Sequence, residues 1–213
     1  QAYGAGTPNN PVTLDSPVFT GTSSGCSAQD NGRHVVWAQK SFMDIDHGVV
    51  ASGDYGYRYT DSGGTITSNT IETDCTGIDV NGRRTILGYD YELFASHNKI
   101  STSDNSPLTA YDGALVTFED NVMEGASEGS GIQVVSSFPE LAVVKLSRNV
   151  IGPIGGYNGI WGVGHVEILA DNNTFQDINR DPVIVGEYHF GDSDWTVPGP
   201  QVARGWFADN TFN

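Results

Sequence analysis

The densest group of side chains suited to acid–base chemistry is Glu187-Tyr188-His189-Phe190-Gly191-Asp192-Ser193-Asp194. An imidazole and several carboxylates in so short a stretch can relay protons or supply oxygen ligands to calcium. If the chain is an enzyme, Glu187, His189, Asp192 and Asp194 are therefore the candidate catalytic set. Asp44 and Asp46 form a second group. On a strand whose Met43 and Ile45 turn inward, both carboxylates face outward, a pair that can hold calcium and equally an ordinary solvated acidic face. A third group is Tyr55-Gly56-Tyr57-Arg58-Tyr59, with its theme repeated by Tyr89 and Tyr91. Three tyrosines at alternate positions predict one aromatic strand face. With the polar Arg58 beside it, such a face is suited to stacking on sugar rings, and equally to covering a core under a long loop. His47 and His97 each stand one residue before a predicted bend and are expected to face solvent.

The elements that position these groups are written in a repeat: apolar, any, apolar, any, any, Asn, any, apolar. Val116-Thr-Phe118-Glu-Asp-Asn121-Val-Met123 and Val144-Lys-Leu146-Ser-Arg-Asn149-Val-Ile151 are its clearest copies. The marked position falls at Pro17, Gly48, Asn69, Asn98, Asn121, Asn149, Asn173 and Asn210. Successive gaps are 31, 21, 29, 23, 28, 24 and 37 residues, and the first five overlapping pair sums lie between 50 and 52. A period of this size belongs to solenoids and arrays, and the alternation puts extra length on every second rung. Alternating apolar residues send every second side chain to one face of a strand. An Asn or Gly just after the strand tolerates the left-handed backbone of a sharp bend, and the next apolar residue turns inward again. Strand, bend and strand, repeated, predict one coil of a parallel β-helix, with corner asparagines stacked in a ladder. A β-sandwich does not account for an Asn that recurs at a near-constant two-coil period.

On that repeat, from about Val12 to Phe212, the chain resembles the right-handed parallel β-helix, or pectate-lyase-like, superfamily. The resemblance implies an all-β fold: one right-handed parallel β-solenoid of about eight coils in a single domain, with 1–11 as an N-terminal extension and 12–213 as coils. No enzyme family within it is matched. Ile45-Asp46-His47 lacks the Trp of the pectate-lyase Trp-Ile-Asp-His stretch, and no Arg-x-x-Pro-x-x-Arg site occurs. Of the polygalacturonase-type motifs only Gly164-His165 is present, followed by Val166. No activity is carried over.

Charge and cysteine content narrow the function classes. Ten Lys and Arg against 26 Asp and Glu leave a net charge of −16. That is the wrong sign for a free-standing nucleic-acid binder and suits extracellular or cell-surface media. No apolar run is long enough to span a membrane. Cys26 and Cys75 fit one structural disulfide. Two coils apart would place them about 9.6 Å from each other in stacked strands, so bonding requires both to lie in the bulges of long coils. The repeat motif continues to Phe212 with no capping helix after it. Terminal coils expose strand edges and core, so a contact with other copies or with a larger solenoid is expected there, or a lid formed by Trp195–Arg204. Two main readings follow. One is a non-catalytic structural, assembly or adhesion module. The other is a polysaccharide-processing lyase or hydrolase, with calcium as its candidate cofactor. Pure carbohydrate binding is the third.

Overall fold

The computed structural model describes residues 1–21, 26, 34–82, 85–86, 89–137, 139–186 and 202–213. Among them there is no helix, and none therefore long and apolar enough to cross a membrane. Three eight-stranded sheets make up the architecture, and every pairing within them is parallel. The antiparallel strand pair Thr85–Ile86 with Tyr89–Asp90 stands outside them, as does an isolated antiparallel bridge between Thr7 and Asn10. The chain visits the sheets in fixed order. His34–Gln39 enters the first sheet, Met43–Asp46 the second and Val49–Val50 the third. Tyr55–Thr60, Gly64–Thr67 and Thr70–Thr73 then lie directly above. This is a parallel β-helix of eight coils. The stretch 1–11 is more than an extension, because Ala2–Tyr3 pairs with Ala38–Gln39 as an edge strand of the first sheet.

Register holds the core together. Residues that pair between coils also stack their side chains, so the interior consists of apolar columns. One runs Val50, Ile71, Ile100, Met123, Ile151, Phe175 and Phe212 up the third sheet. Another runs Ile45, Ile66, Ala95, Phe118, Leu146 and Ala170 up the second, with alanines offsetting the large Phe118. Each buried Ile or Phe contributes about 1.5–3 kcal/mol.

The Asn corner lies between the second and third sheets. Asn69, Asn98, Asn121, Asn149 and Asn173 are all buried. From Asn98 onward each Oδ1 accepts from both the backbone N–H and the Nδ2 of the asparagine one coil earlier; Asn121 Oδ1 takes Asn98 N at 3.0 Å and Asn98 Nδ2 at 2.9 Å. The left-handed residue is not the asparagine. Positive φ falls one position before it, at Ser16, His47, Ser68, His97, Asp120, Arg148, Asn172 and Asp209. An asparagine whose side chain is fully used inside the ladder keeps ordinary φ, and the exposed residue before it makes the bend. Where Gly48 replaces Asn, its N–H still donates to Asn69 Oδ1 at 2.8 Å. The missing amide is replaced by the Tyr57 hydroxyl, which donates to the same oxygen at 3.2 Å.

A second ladder lies between the third and first sheets. Ser130 N–H donates to Ser106 Oγ at 3.2 Å and Asn158 N–H to Ser130 Oγ at 3.4 Å. Beside it, Gly56, Gly77, Gly131 and Gly159 each precede an inward residue, and a Cβ there would meet core atoms of Ile71, Ile100, Ile151 or Phe175 at 3.0 Å or less. Backbone at this corner turns inward on two successive residues, which breaks strand alternation.

Cys26 and Cys75 are bonded, with Cα atoms 5.3 Å apart. Only Cys26 lies in a long connection, 20–33. Cys75 sits in a two-residue corner, where Asp74 N–H and Cys75 N–H donate to Gly53 O and Asp54 O of the coil beneath. The expected pair of bulges is therefore not required, since Cys75 bonds Cys26 from a short corner.

Candidate functional site

The first sheet presents an outward row that crosses seven coils in register: Trp37, Arg58, Asp79, Thr109, Gln133, Trp161 and Ile184. At about 4.8 Å per coil the row extends about 29 Å. Its middle is deepest, since Asp79 and Thr109 are only 9% and 2% exposed although they point away from the core. Two cavities lie along it and share Asn105. The smaller, about 210 Å³, is lined by His34, Tyr55, Arg58, Asp79, Thr109 and Tyr111 among others. The larger, about 430 Å³, is lined by Glu128, Gln133, Asn158, Trp161, Arg180 and Asp181 among others.

In the smaller cavity the side chains form a chain of contacts. Thr109 Oγ1 donates to Asp79 Oδ1 at 2.9 Å. Arg58 Nε lies 3.4 Å from Asp79 Oδ2, a charge contact that misses hydrogen-bond geometry. Arg58 Nη1 and His34 Nε2 are 2.9 Å apart, and the guanidinium carbon is 5.6 Å from the Trp37 ring centre. Arginine can only donate, so His34 Nε2 accepts and the imidazole proton sits on Nδ1. Burial, then the Arg58 charge, pushes the His34 pKa down to about 4, which keeps the ring neutral. Burial raises the Asp79 pKa, opposed by Arg58 and the Thr109 hydroxyl. Burial likewise raises the Tyr111 hydroxyl well above its ordinary range. The arrangement offers a fixed cation, a neutral imidazole and phenol groups. Glycosidases need two carboxyl groups flanking the bond, and Asp79 is the one carboxyl lining this cavity among the described residues.

The tyrosine face predicted from alternation is split. Tyr57 and Tyr59 are fully buried core residues, with Tyr59 Oη donating to Met43 O at 3.1 Å. Tyr55 and Arg58 alone of that strand's candidates line the outer cavity, because Gly56 and Tyr57 both turn inward. Tyr91 is buried and stacks on Phe42 with ring centres 4.9 Å apart, away from the row. Tyr89 contributes backbone to the short antiparallel pair, and its side chain lies outside the described residues. Glu187, His189, Asp192 and Asp194 also lie outside the described residues, as does most of the Trp195–Arg204 stretch.

Asp44 and Asp46 face outward on the second sheet, each with a partner. Asp44 Oδ1 accepts from Thr65 N–H at 2.9 Å. Asp46 Oδ1 accepts from Thr67 Oγ1 at 2.6 Å, and its Oδ2 is 2.9 Å from His47 Nδ1. The Thr67 hydroxyl, and after it His47, lowers the Asp46 pKa. The ligand atoms that cluster are those of Asp15, Asp46 and His47, not Asp44. Calcium wants six to eight oxygens, and this set offers two carboxylates, one already engaged on both oxygens, and an imidazole. The donor set does not suit calcium. His47 and His97 are exposed.

His34, Asp79, Thr109, Gln133, Asn158 and Trp161 were not singled out by the sequence. No fixed spacing marks them: the interval from each to the Asn corner of its own coil runs from 12 to 19 residues. Comparisons with protein-family models, with curated proteins and with solved structures found no match.

Proposed function

We propose that this protein is a glycan-binding β-solenoid that engages a polysaccharide along the outer face of its first sheet. Kinship with the pectate-lyase-like superfamily and an extracellular setting belong to the same reading, on the strength of the repeat, the architecture and the disulfide. The observation that carries it is the in-register row from Trp37 to Ile184 with two adjoining cavities. A linear polymer needs a long, shallow site with aromatic surface and dense hydrogen-bonding groups, and this face supplies them. The test is affinity electrophoresis against soluble polysaccharides, with chromatography of the recovered glycan. Retarded migration without new chain ends supports binding. New ends, lost on His34→Ala or Arg58→Ala, would make the protein an enzyme instead. Unretarded migration in every gel defeats the reading.

A second reading is association of copies through the last coil. It is supported by the exposure of Trp206, Phe207 and Phe212. Sedimentation of the protein and of Phe212→Ser tests it: oligomers dissolved by the substitution support it, and a monomer at all concentrations refutes it.

A further inference from the structure

Within the glycan-binding reading, on which it rests, we propose that the larger cavity is a subsite for an uncharged sugar, so the ligand is a neutral polysaccharide and not a polyuronate. The first argument is a buried acceptor that lacks a donor. Asn158 is only 7% exposed, lines the cavity, and its Oδ1 has no hydrogen-bond partner among the described residues. Leaving such a group unpaired costs about 1–3 kcal/mol, so a ligand that donates to it is favoured by that margin. A sugar hydroxyl both donates and accepts. It satisfies the Asn158 amide whichever way oxygen and nitrogen are turned. Uronate residues carry such hydroxyls too, so this acceptor argues for a sugar, and the charge around it decides which kind.

The second argument is the charge around it. Glu128 and Asp181 line the same cavity against one cation, Arg180. Arg180 is held at the rim, its guanidinium 4.5 Å from the Tyr157 ring centre and its backbone N–H donating to Tyr157 O at 3.1 Å. In the smaller cavity the Arg58 charge already faces Asp79. The site as a whole is weakly negative, on a chain of net charge −16. A polyuronate would meet a repelling field. A neutral sugar has no such penalty, and Trp161 with Ile184 supplies apolar surface for its C–H face.

The test uses the whole protein and defined polymers: xyloglucan and galactomannan as neutral probes, polygalacturonate and alginate as charged ones. Binding is measured by titration calorimetry at low and high salt. The expected result is binding of a neutral polymer with little salt dependence, weakened about tenfold by Asn158→Ala, the equivalent of one hydrogen bond. Trp161→Ala should weaken it at least as much. Gln133→Ala, a surface change in the same cavity, gives a readout should either variant fold poorly, and should also weaken it. Binding of polyuronates in preference to neutral polymers overturns the inference while leaving the glycan reading intact. So does neutral binding that none of the three variants alters. Failure of all four polymers to bind defeats both.

Discussion

The corner asparagines predict a stability gradient along the solenoid, and Asn121 is the place to measure it. Its side chain accepts two hydrogen bonds from Asn98 and donates to Ala95 O, Glu119 O and Asn149 Oδ1, each at 3.0 Å. Asn121→Ala leaves Asn98 N–H without its acceptor and one proton of Asn98 Nδ2 unpaired, while the other proton still reaches Ile66 O at 2.8 Å. Asn121 is 1% exposed, so water does not replace these bonds. Two orphaned groups at about 1–3 kcal/mol each, with a small cavity added, give a loss of about 3–5 kcal/mol. Asn210 makes the same two acceptor bonds to Asn173, at 2.8 and 3.0 Å, but in a part-buried setting. Asn210→Ala should cost about 1 kcal/mol, because water can take the vacated sites. Urea denaturation of the two variants and the parent measures the difference. Equal losses would refute the reasoning and show that backbone pairing alone holds the corner. Asn121→Asp sharpens the test. One carboxylate oxygen would face three carbonyl-type oxygens, so its folded pKa must rise above the unfolded value near 3.9. A raised carboxyl pKa favours folding at low pH and loses that advantage as pH climbs through the folded value. The deficit of Asn121→Asp relative to the parent should therefore shrink between pH 7 and about pH 4.

Three further outcomes follow from other contacts. Gly48→Ala places a Cβ 2.7 Å from the Tyr57 hydroxyl and closer still to Asn69 Oδ1; it should destabilise by about 1–3 kcal/mol, and the loss should be about 1 kcal/mol smaller in a Tyr57→Phe background when measured as a double-mutant cycle. His34 has a folded pKa of about 4 against an ordinary 6.5, lowered by burial and by Arg58, with Asp79 the other charge in its cavity. The unfolded chain then binds the extra proton between those values, so its contribution is complete above 6.5 and is lost as pH falls toward 4; discounted for partial exposure it is about 1–2 kcal/mol, and His34→Gln should flatten that part of the stability profile. Asp79, shifted the opposite way, works against this slope in both proteins and drops out of the comparison. Replacing Cys26 and Cys75 by Ser opens a loop with a sequence separation of 49 and should cost up to about 4 kcal/mol on the chain-entropy account, read as a fall in the denaturation midpoint.

The coil count and the Asn corner were legible because both depend on residues close in sequence. Val116, Phe118, Asn121 and Met123 sit within a single turn of the coil, and the pattern repeats whole. What failed to read did so for identifiable reasons. Asn tolerates left-handed backbone best among non-glycine residues, so the sequence predicts the left-handed residue at the asparagine. In the structure the ladder claims the asparagine side chain, and exposed His97, Arg148 or Ser68 makes the bend instead. Alternation put Tyr55, Tyr57 and Tyr59 on one face, but the inward step at Gly56 shifts the phase, and only Tyr55 stays outside. The ladder through Ser106, Ser130 and Asn158 was unreadable because its residue types vary and its spacing, 24 and then 28, follows loop length.

The same reasoning explains why the candidate site had no motif. A strand contributes one or two side chains to the outer row, and the next contribution comes a full coil later. Asp79 meets Arg58 across 21 residues and Thr109 across 30, contacts made only once register is set. Register in turn is set largely on the far side of the coil, by corner asparagines and apolar columns that do not line the groove, although Ser130 and Asn158 of the second ladder do line it. An insertion in one connection lengthens the gap without moving the row, provided both ladders stay in step. The outer face can therefore change its chemistry one coil at a time while the fold stays constant. A solenoid of this kind should show its specificity in single outward positions such as Asn158 and Gln133, and should show its stability in Asn98, Asn121 and Asn149. Substitutions that cross these two sets, altering binding without stability or stability without binding, are the direct measure of that separation.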